Sequence, residues 1–145
     1  MASARQFETY LDKLVEQLRP QAICEEYSEA RVRGHLEFDD KAYSIAKSVS
    51  ANHNNIRHMY CDPNQDERDT LYLSKGTREA QDKEIGWPIR EGEWLKRISP
   101  LLPDTLVLFI CGADHIVTFK QKLEAKHIAV KVICQDLEEK WKLGY

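Results

Sequence analysis

The stretch Leu106-Val-Leu-Phe-Ile-Cys-Gly-Ala-Asp-His115 constrains the fold of this chain more than any other. Its six apolar residues run without interruption, Gly112 ends the run, and a new apolar periodicity begins at Ile116. This order is typical of a buried strand, a tight turn and a helix that crosses back over a sheet. Because ligands bind beyond the carboxyl ends of strands in such sheets, the pattern places His115 where a functional site is expected.

Strands and helices are predicted to alternate along the rest of the chain. The predicted strands are Gln21–Cys24, Ile56–Cys61, Leu106–Cys111 and Ala129–Cys134. The predicted helices are Phe7–Leu18, Phe38–Val49, a short one within Asn64–Glu84, Ile89–Ile98, Ile116–Ala125 and Leu137–Leu143. The alternation predicts an α/β fold with three layers, in which helices flank a mostly parallel four-stranded sheet. A length of 145 residues fits a single α/β domain over residues 1–145.

Charge and hydropathy argue against two classes of partner, nucleic acids and membranes. Lysine and arginine are interleaved with aspartate and glutamate, and the net charge is -3, so nothing favours nucleic acid. No apolar run approaches the roughly 20 residues that cross a bilayer, so no membrane is expected. The N-terminus has no apolar core of the signal-peptide type, and we expect a cytoplasmic location. A small molecule or peptide as substrate and a protein as partner both stay open.

The four cysteines lack the C-x-x-C spacing of structural zinc sites. Each stands at the end of a predicted strand, at Cys24, Cys61, Cys111 and Cys134. They could act as soft ligands or redox thiols at the edge of the sheet. Packing as small buried thiols is the favoured interpretation, because thiols in the cytosol stay reduced.

Acidic side chains follow the predicted strands and are expected to meet His115 at one edge of the sheet. Two carboxylates and an imidazole can bind a divalent metal ion, so Glu26, Asp62 and His115 form a candidate metal site. Alternatively, a carboxylate orients His115 as a general base. Glu25 and Glu26 could equally be solvated strand tips, and Asp114 could cap the helix that follows it.

Arg90 lies near the start of a predicted helix, where a positive charge opposes the helix dipole. That position indicates a specific partner, either an acid at the edge of the sheet or an anionic group of a substrate. An ordinary surface arginine is the alternative. Arg68 is a second, weaker candidate for the same role. The candidate catalytic residues are therefore His115, Glu25, Glu26 and Arg90.

Three short motifs resemble those of the superfamily of TraB-like, ChaN-like and erythromycin-esterase-like proteins. Leu18-Arg-Pro-Gln-Ala-Ile-Cys-Glu25 resembles the basic residue, proline, apolar strand and glutamate near the start of these proteins. Arg90–Ile98 resembles their arginine-led helix, and Gly112-Ala-Asp-His115 resembles their G-x-x-H motif. The resemblance extends from about Leu14 to Val132.

The resemblance implies a hydrolase or a metal-dependent, peptidase-like site that uses Glu25 or Glu26, Arg90 and His115. Members of the group usually begin with an earlier strand that carries a first histidine motif, whereas this chain begins with a helix. We therefore expect either a shortened chain or a reduced version of the site. Two hypotheses follow: a small hydrolase, metal-assisted in one form, and a non-enzymatic module in which Asn64–Glu84 orders on binding a ligand or protein.

Overall fold

The computed structural model describes residues 4–28, 44–77 and 84–133. These residues contain three strands, β1 (Ala22–Glu25), β2 (Arg57–Tyr60) and β3 (Val107–Ile110). They also contain five α-helices, namely α1 (Ala4–Leu18), α2 (Ile45–Ala51), α3 (Gln65–Ser74), α4 (Gly86–Ile98) and α5 (Ile116–Glu124). Single 3-10 turns lie at Ser99–Leu101 and Ala113–His115. The chain is therefore an α/β protein, as the sequence predicts.

The three strands form one parallel sheet in the order β2-β1-β3. In the shared register Ile23 lies between His58 and Leu108. Because the sheet is parallel, the carboxyl ends of all three strands lie at the same edge. The backbone of Glu26 continues the pairing by donating to the carbonyl of Ile110 at 2.8 Å, so the residue after β1 is also held at this edge.

The predicted fourth strand, Ala129–Cys134, is not a strand in its described part, residues 129–133, and Cys134 lies outside the described residues. Ile128 and Val130 nevertheless pack against a core, which accounts for the alternating apolar pattern without any strand pairing. The predicted helix Leu137–Leu143 and the first residues of Phe38–Val49 also lie outside the described residues. Within the described ranges, no helix has the length and apolar character that a membrane span requires.

Alternate side chains of β1 belong to two different cores. Ile23 belongs to a cluster with residues of α1 and α2, listed as Leu11, Val15, Ala46 and Val49. Ala22 and Cys24 belong to a second cluster with residues of α4 and α5, which include Trp94, Ile98, Phe119 and Leu123. Successive residues of a strand point to opposite faces, so the two cores follow directly from the pleat. The same alternation decides to which face of the sheet the side chains of Glu25 and Glu26 point.

Helix α4 begins at Gly86, three residues before the predicted start at Ile89. Pro88 does not prevent this, because the first N–H groups of a helix have no partner within the helix and the third residue can lack one. The earlier start places Trp87 on the helix, one turn before Glu91. Helix α3 is the predicted short helix, and a reciprocal capping box of Asn64 and Glu67 fixes its start.

Candidate functional site

The buried carboxylate of Asp62, directly beyond β2, binds three side chains at the carboxyl edge of the sheet. Trp94 donates its indole N–H to Asp62 at 2.8 Å. Arg90 donates from Nε and Nη2 to the two oxygens, at 3.1 Å each, and Arg68 donates from its own Nη2. The Asp62 side chain is only 3% exposed. It therefore joins β2 to α3 and α4 through charge-assisted hydrogen bonds.

Glu26 lies beside this group and connects it to the end of β3. Its Oε1 accepts the backbone N–H of Gly112 at 2.8 Å, and its Oε2 accepts Arg90 Nη2 at 2.6 Å. A Cβ atom at position 112 would lie 3.3 Å from Oε1, so the glycine permits this close approach. The side chain of Glu26 is 17% exposed, and this carboxylate reaches solvent more than Asp62 does.

Arg90 lies between the carboxylates of Asp62 and Glu26. Of the two kinds of partner expected from the sequence, an acid at the edge of the sheet or an anionic group of a substrate, the structure shows the first. Burial lowers the pKa of its guanidinium, but the hydrogen bonds and charges of Asp62 and Glu26 raise that pKa above its ordinary value. Arg90 is therefore a permanent cation whose charge faces two carboxylates. Arg68, the weaker candidate, binds the same Asp62.

His115 ends the 3-10 turn after Gly112, and its side chain is 5% exposed. Its Nδ1 lies 2.8 Å from Glu91 Oε2, and the same oxygen accepts the Thr118 hydroxyl at 2.7 Å. Because an ionised carboxylate only accepts hydrogen bonds, Nδ1 carries a hydrogen in this pair. The other nitrogen, Nε2, lies 3.5 Å from Glu26 Oε2, which exceeds a normal hydrogen bond.

Two indole rings enclose the imidazole of His115. The ring centroid of Trp87 lies 4.4 Å from that of His115, and the centroid of Trp94 lies 4.9 Å away. Trp94 is fully buried, whereas Trp87 is half-buried at the start of α4. The sequence predicts a role for Arg90 on this helix but none for Glu91. A glutamate at helical spacing from Trp87 and Trp94 was the available signal, since the three share one face.

Glu25 does not join His115, although the sequence analysis grouped the two residues. Its Oε2 accepts the hydroxyl of Ser44 at 2.6 Å and lies 2.5 Å from His58 Nε2. His58 pairs with Ile23 in the sheet, on the face of the α1–α2 core. Glu25 and Glu26 are neighbours in a pleated strand, so their side chains diverge to opposite faces. The structure thus brings together Glu26, Asp62, Arg90 and His115 and leaves Glu25 on the other face.

The metal site predicted from Glu26, Asp62 and His115 fits this geometry only in part. Glu26 Oε2 and His115 Nε2 are close enough to share one ion, whose bonds to such ligands are about 2.0–2.2 Å long. Both oxygens of Asp62 already accept guanidinium or indole hydrogens. In the described parts of the chain, no three His, Cys, Asp or Glu side chains are arranged to hold an ion together.

The described cysteines behave as packing residues. Cys24 and Cys61 are fully buried and free, and Cys111 is half-buried and free. The hydrogen bond with Cys61, followed by burial, raises the pKa of the Cys24 thiol far above its ordinary range. Burial, with the charges of Glu26 and Glu91, raises the pKa of Cys111 to about 12. Cys134 lies outside the described residues.

Asp114 is exposed, and no side chain caps the 3-10 turn or the helix α5 that follows it. Asp114, which the sequence left open as a possible cap of this helix, therefore does not cap it. His115 itself occupies the N-cap position of α5, so the turn serves to direct the imidazole toward Glu91.

Comparison of the chain with protein-family models, with curated proteins and with solved structures gives no match. The resemblance to the TraB-like, ChaN-like and erythromycin-esterase-like group therefore stays a prediction from the motifs.

We predict that Asp62→Asn destabilises the protein strongly. The substitution removes the charge that Arg68 and Arg90 share and leaves both guanidiniums near the core without it, at a cost of about 3–5 kcal/mol. Urea unfolding followed by circular dichroism measures the change. Asp69→Asn, on the exposed face of α3, is the matched control and should change stability by less than about 0.5 kcal/mol. Equal stability of the two variants would contradict the role assigned to Asp62.

We predict that Cys111 alkylates slowly at neutral pH. A pKa raised from 9.0 to about 12 lowers the thiolate population at pH 8 by roughly a thousandfold, and the thiolate is the reactive form. The rate should keep rising as the pH is raised past 9. Peptide mass spectrometry after iodoacetamide treatment measures the rate at each pH, with urea-unfolded protein as the reference. A rate that levels off below pH 9 would contradict the raised pKa.

Proposed function

We propose that this protein is a small hydrolase whose reactive group is His115, at the carboxyl edge of the sheet. The observation that carries the proposal is the pair formed by His115 and Glu91. A buried carboxylate binds Nδ1, and Nε2 is thereby directed at the partly exposed Glu26. A histidine held in one tautomer by a carboxylate is the usual arrangement of a general base.

In this proposal His115 Nε2 accepts a proton from a water molecule as the water oxygen attacks the substrate. The protonated imidazole then gives that proton to the leaving group. Glu91 keeps the hydrogen on Nδ1 and faces the positive charge that develops on the ring, so Nε2 alone exchanges the proton. Glu26 Oε2 lies 3.5 Å from Nε2 and can accept the second hydrogen of the water. Arg90 is a positioning residue that holds Glu26 in place.

The motifs shared with the TraB-like, ChaN-like and erythromycin-esterase-like group support a hydrolase as the class of enzyme. We propose a small molecule or a peptide as substrate and the cytoplasm as the location. The proposal includes the finer architecture of three layers, because one core lies between the sheet and helices α1 and α2 and the other between the sheet and helices α4 and α5.

A metal-assisted form of the hydrolase uses the same two side chains. A divalent ion bound by Glu26 and His115 would supply an activated water, with Asp62 as a ligand only after its hydrogen bonds rearrange. The spacing of Glu26 and His115 supports this form.

A non-enzymatic binding module is the second candidate function, and two observations favour it. Asp62 and Glu26 pair with Arg68 and Arg90, as in a structural network. The exposed apolar side chains Leu73 and Ile85 lie within or next to Asn64–Glu84, the segment expected to order on binding. Helix α3 already forms the first part of that segment. Protease resistance gained between residues 75 and 84 with a protein partner, and not with metal, would support this function.

We predict that His115→Gln lowers kcat/KM by about 10²–10⁴-fold against whichever substrate of an ester, amide and phosphoester panel is hydrolysed. Glu91→Gln should lower kcat by at least about tenfold with KM nearly unchanged, because it frees the imidazole without altering the substrate contacts. It should also remove the downfield proton resonance of the His115 Nδ1–H group.

His127→Asn is the control for this series, since His127 is exposed in the turn after α5. Its kcat/KM should equal that of the unmodified protein. Hydrolysis that survives His115→Gln unchanged, or the absence of hydrolysis across the whole panel, would end the hydrolase proposal.

The metal-assisted form makes a separate prediction. Zn²⁺ or Mn²⁺ should raise the midpoint of thermal unfolding of the unmodified protein by a few degrees or more, because an ion that binds only the folded state stabilises it. His115→Gln and Glu26→Gln should abolish the shift. No shift with either ion would remove the metal-assisted form and leave the general-base form standing.

A further inference from the structure

We infer that the site at His115 binds ligands that carry an ammonium group, which take the place of the attacking water between His115 Nε2 and Glu26 Oε2 and so inhibit the proposed hydrolase. The inference rests on the same site as the proposed function but concerns what the site binds. Three independent features carry it: the pairing of acceptor atoms, the balance of charge and the position of an indole ring.

The first feature is the pair formed by His115 Nε2 and Glu26 Oε2, 3.5 Å apart. With the hydrogen of the imidazole on Nδ1, Nε2 is an acceptor, and a carboxylate oxygen is an acceptor too. Glu26 Oε2 already accepts Arg90 Nη2 at 2.6 Å, so a donor placed between the two atoms would give Nε2 a partner and Oε2 a second one. Water can supply it, and an ammonium group supplies it with three N–H groups and a positive charge.

The second feature is an excess of negative charge. Among the described residues, the carboxylates of Glu26, Asp62 and Glu91 lie at the site, and the two guanidiniums of Arg68 and Arg90 pair with them. The nearby guanidinium of Arg97 pairs with Glu67 and Glu93 instead. A phosphate or carboxylate ligand would place another negative charge beside Glu26 and would compete with existing ion pairs for its own partner. A cationic ligand would be attracted by the negative charge of Glu26 and would leave the existing ion pairs in place.

The third feature is Trp87, which is half-buried and lies against the imidazole, with ring centroids 4.4 Å apart and ring planes tilted by 41°. The imidazole of His115 thus has an indole ring and the carboxylate of Glu26 as neighbours. Organic ammonium groups are bound by this combination, because the negative face of the indole attracts the cation and excludes water around it. The site is thus suited to an amine attached to an apolar body.

Three probes of one shape test the inference: benzylammonium, benzyl alcohol and phenylacetate, which differ in charge. The ring resonances of His115, assigned by their loss in His115→Gln, report binding in NMR titrations of the full chain. We expect benzylammonium to bind about tenfold more tightly than benzyl alcohol, and phenylacetate to bind more weakly than either. The advantage of benzylammonium should shrink as salt is added.

Glu26→Gln removes the charge that recognises the ammonium, and it should bring benzylammonium and benzyl alcohol to within about threefold of each other. Glu124→Gln, on the exposed end of α5, is the matched control and should keep the full preference. Trp87→Leu leaves both acceptor atoms in place and should weaken benzylammonium about threefold with little effect on benzyl alcohol. This variant carries the test if Glu26→Gln does not fold.

Two results would overturn the inference: phenylacetate binding as tightly as benzylammonium, and no shift of His115 with benzylammonium. A preference for the cation that survives both Glu26→Gln and Trp87→Leu would overturn it as well. The two proposals fail separately. If the protein prefers the cation but hydrolyses no substrate, the hydrolase proposal fails and the ammonium site stands. If hydrolysis is lost in His115→Gln but the protein shows no preference for the cation, the ammonium site fails and the hydrolase proposal stands.

Discussion

One buried carboxylate, that of Asp62, joins the elements that meet at the carboxyl edge of the sheet. It stands at the end of β2 and receives guanidinium and indole hydrogens from α3 and α4. A charge removed from water is tolerated only when its partners are equally fixed, so Asp62, Arg90 and Trp94 determine one another's positions. The contact therefore sets the rotation of α4 about its own axis. The positions of Glu91 and Trp87 beside His115 depend on that rotation.

Once α4 is set, its inner face carries the parts that surround the imidazole. Glu91 lies one residue after Arg90 and meets His115, while Trp87 and Trp94 enclose the ring. The polar residues of this face are satisfied by each other, which lets a helix bury charge against a sheet edge. At the edge of this network His115 Nε2 and Glu26 Oε2 lie 3.5 Å apart, which exceeds a normal hydrogen bond. A donor placed between them would contact both atoms, and this is the position that the proposed ligands take.

The sequence predicted the parts of this arrangement that depend on topology. Apolar runs closed by Gly112 or by acids indicated the strands, and a parallel sheet then brought Asp62, Glu26 and His115 to one edge. It did not predict the parts that depend on side-chain direction. The role of Glu91 was not predicted, because a charged residue in a helix is usually exposed and its buried partner, His115, is distant in the sequence. The pattern at Ala129–Cys134 predicted a strand because alternation records packing against a core and not hydrogen bonding between strands.

The two consecutive glutamates after Cys24 have separate environments, one facing His58 and Ser44 and the other facing Arg90 and Gly112. A slip of one position in the pairing of β1 would turn every one of its side chains to the other face. A slip in one direction would bring Glu25 to the guanidinium and Cys24 to His58, and a slip in the other direction would bring Glu26 to His58 and leave the guanidinium without it. The contacts of both glutamates therefore depend on the register of β1. A deletion between α1 and β1 that shifts this register would break those contacts although it changes no residue at the edge of the sheet.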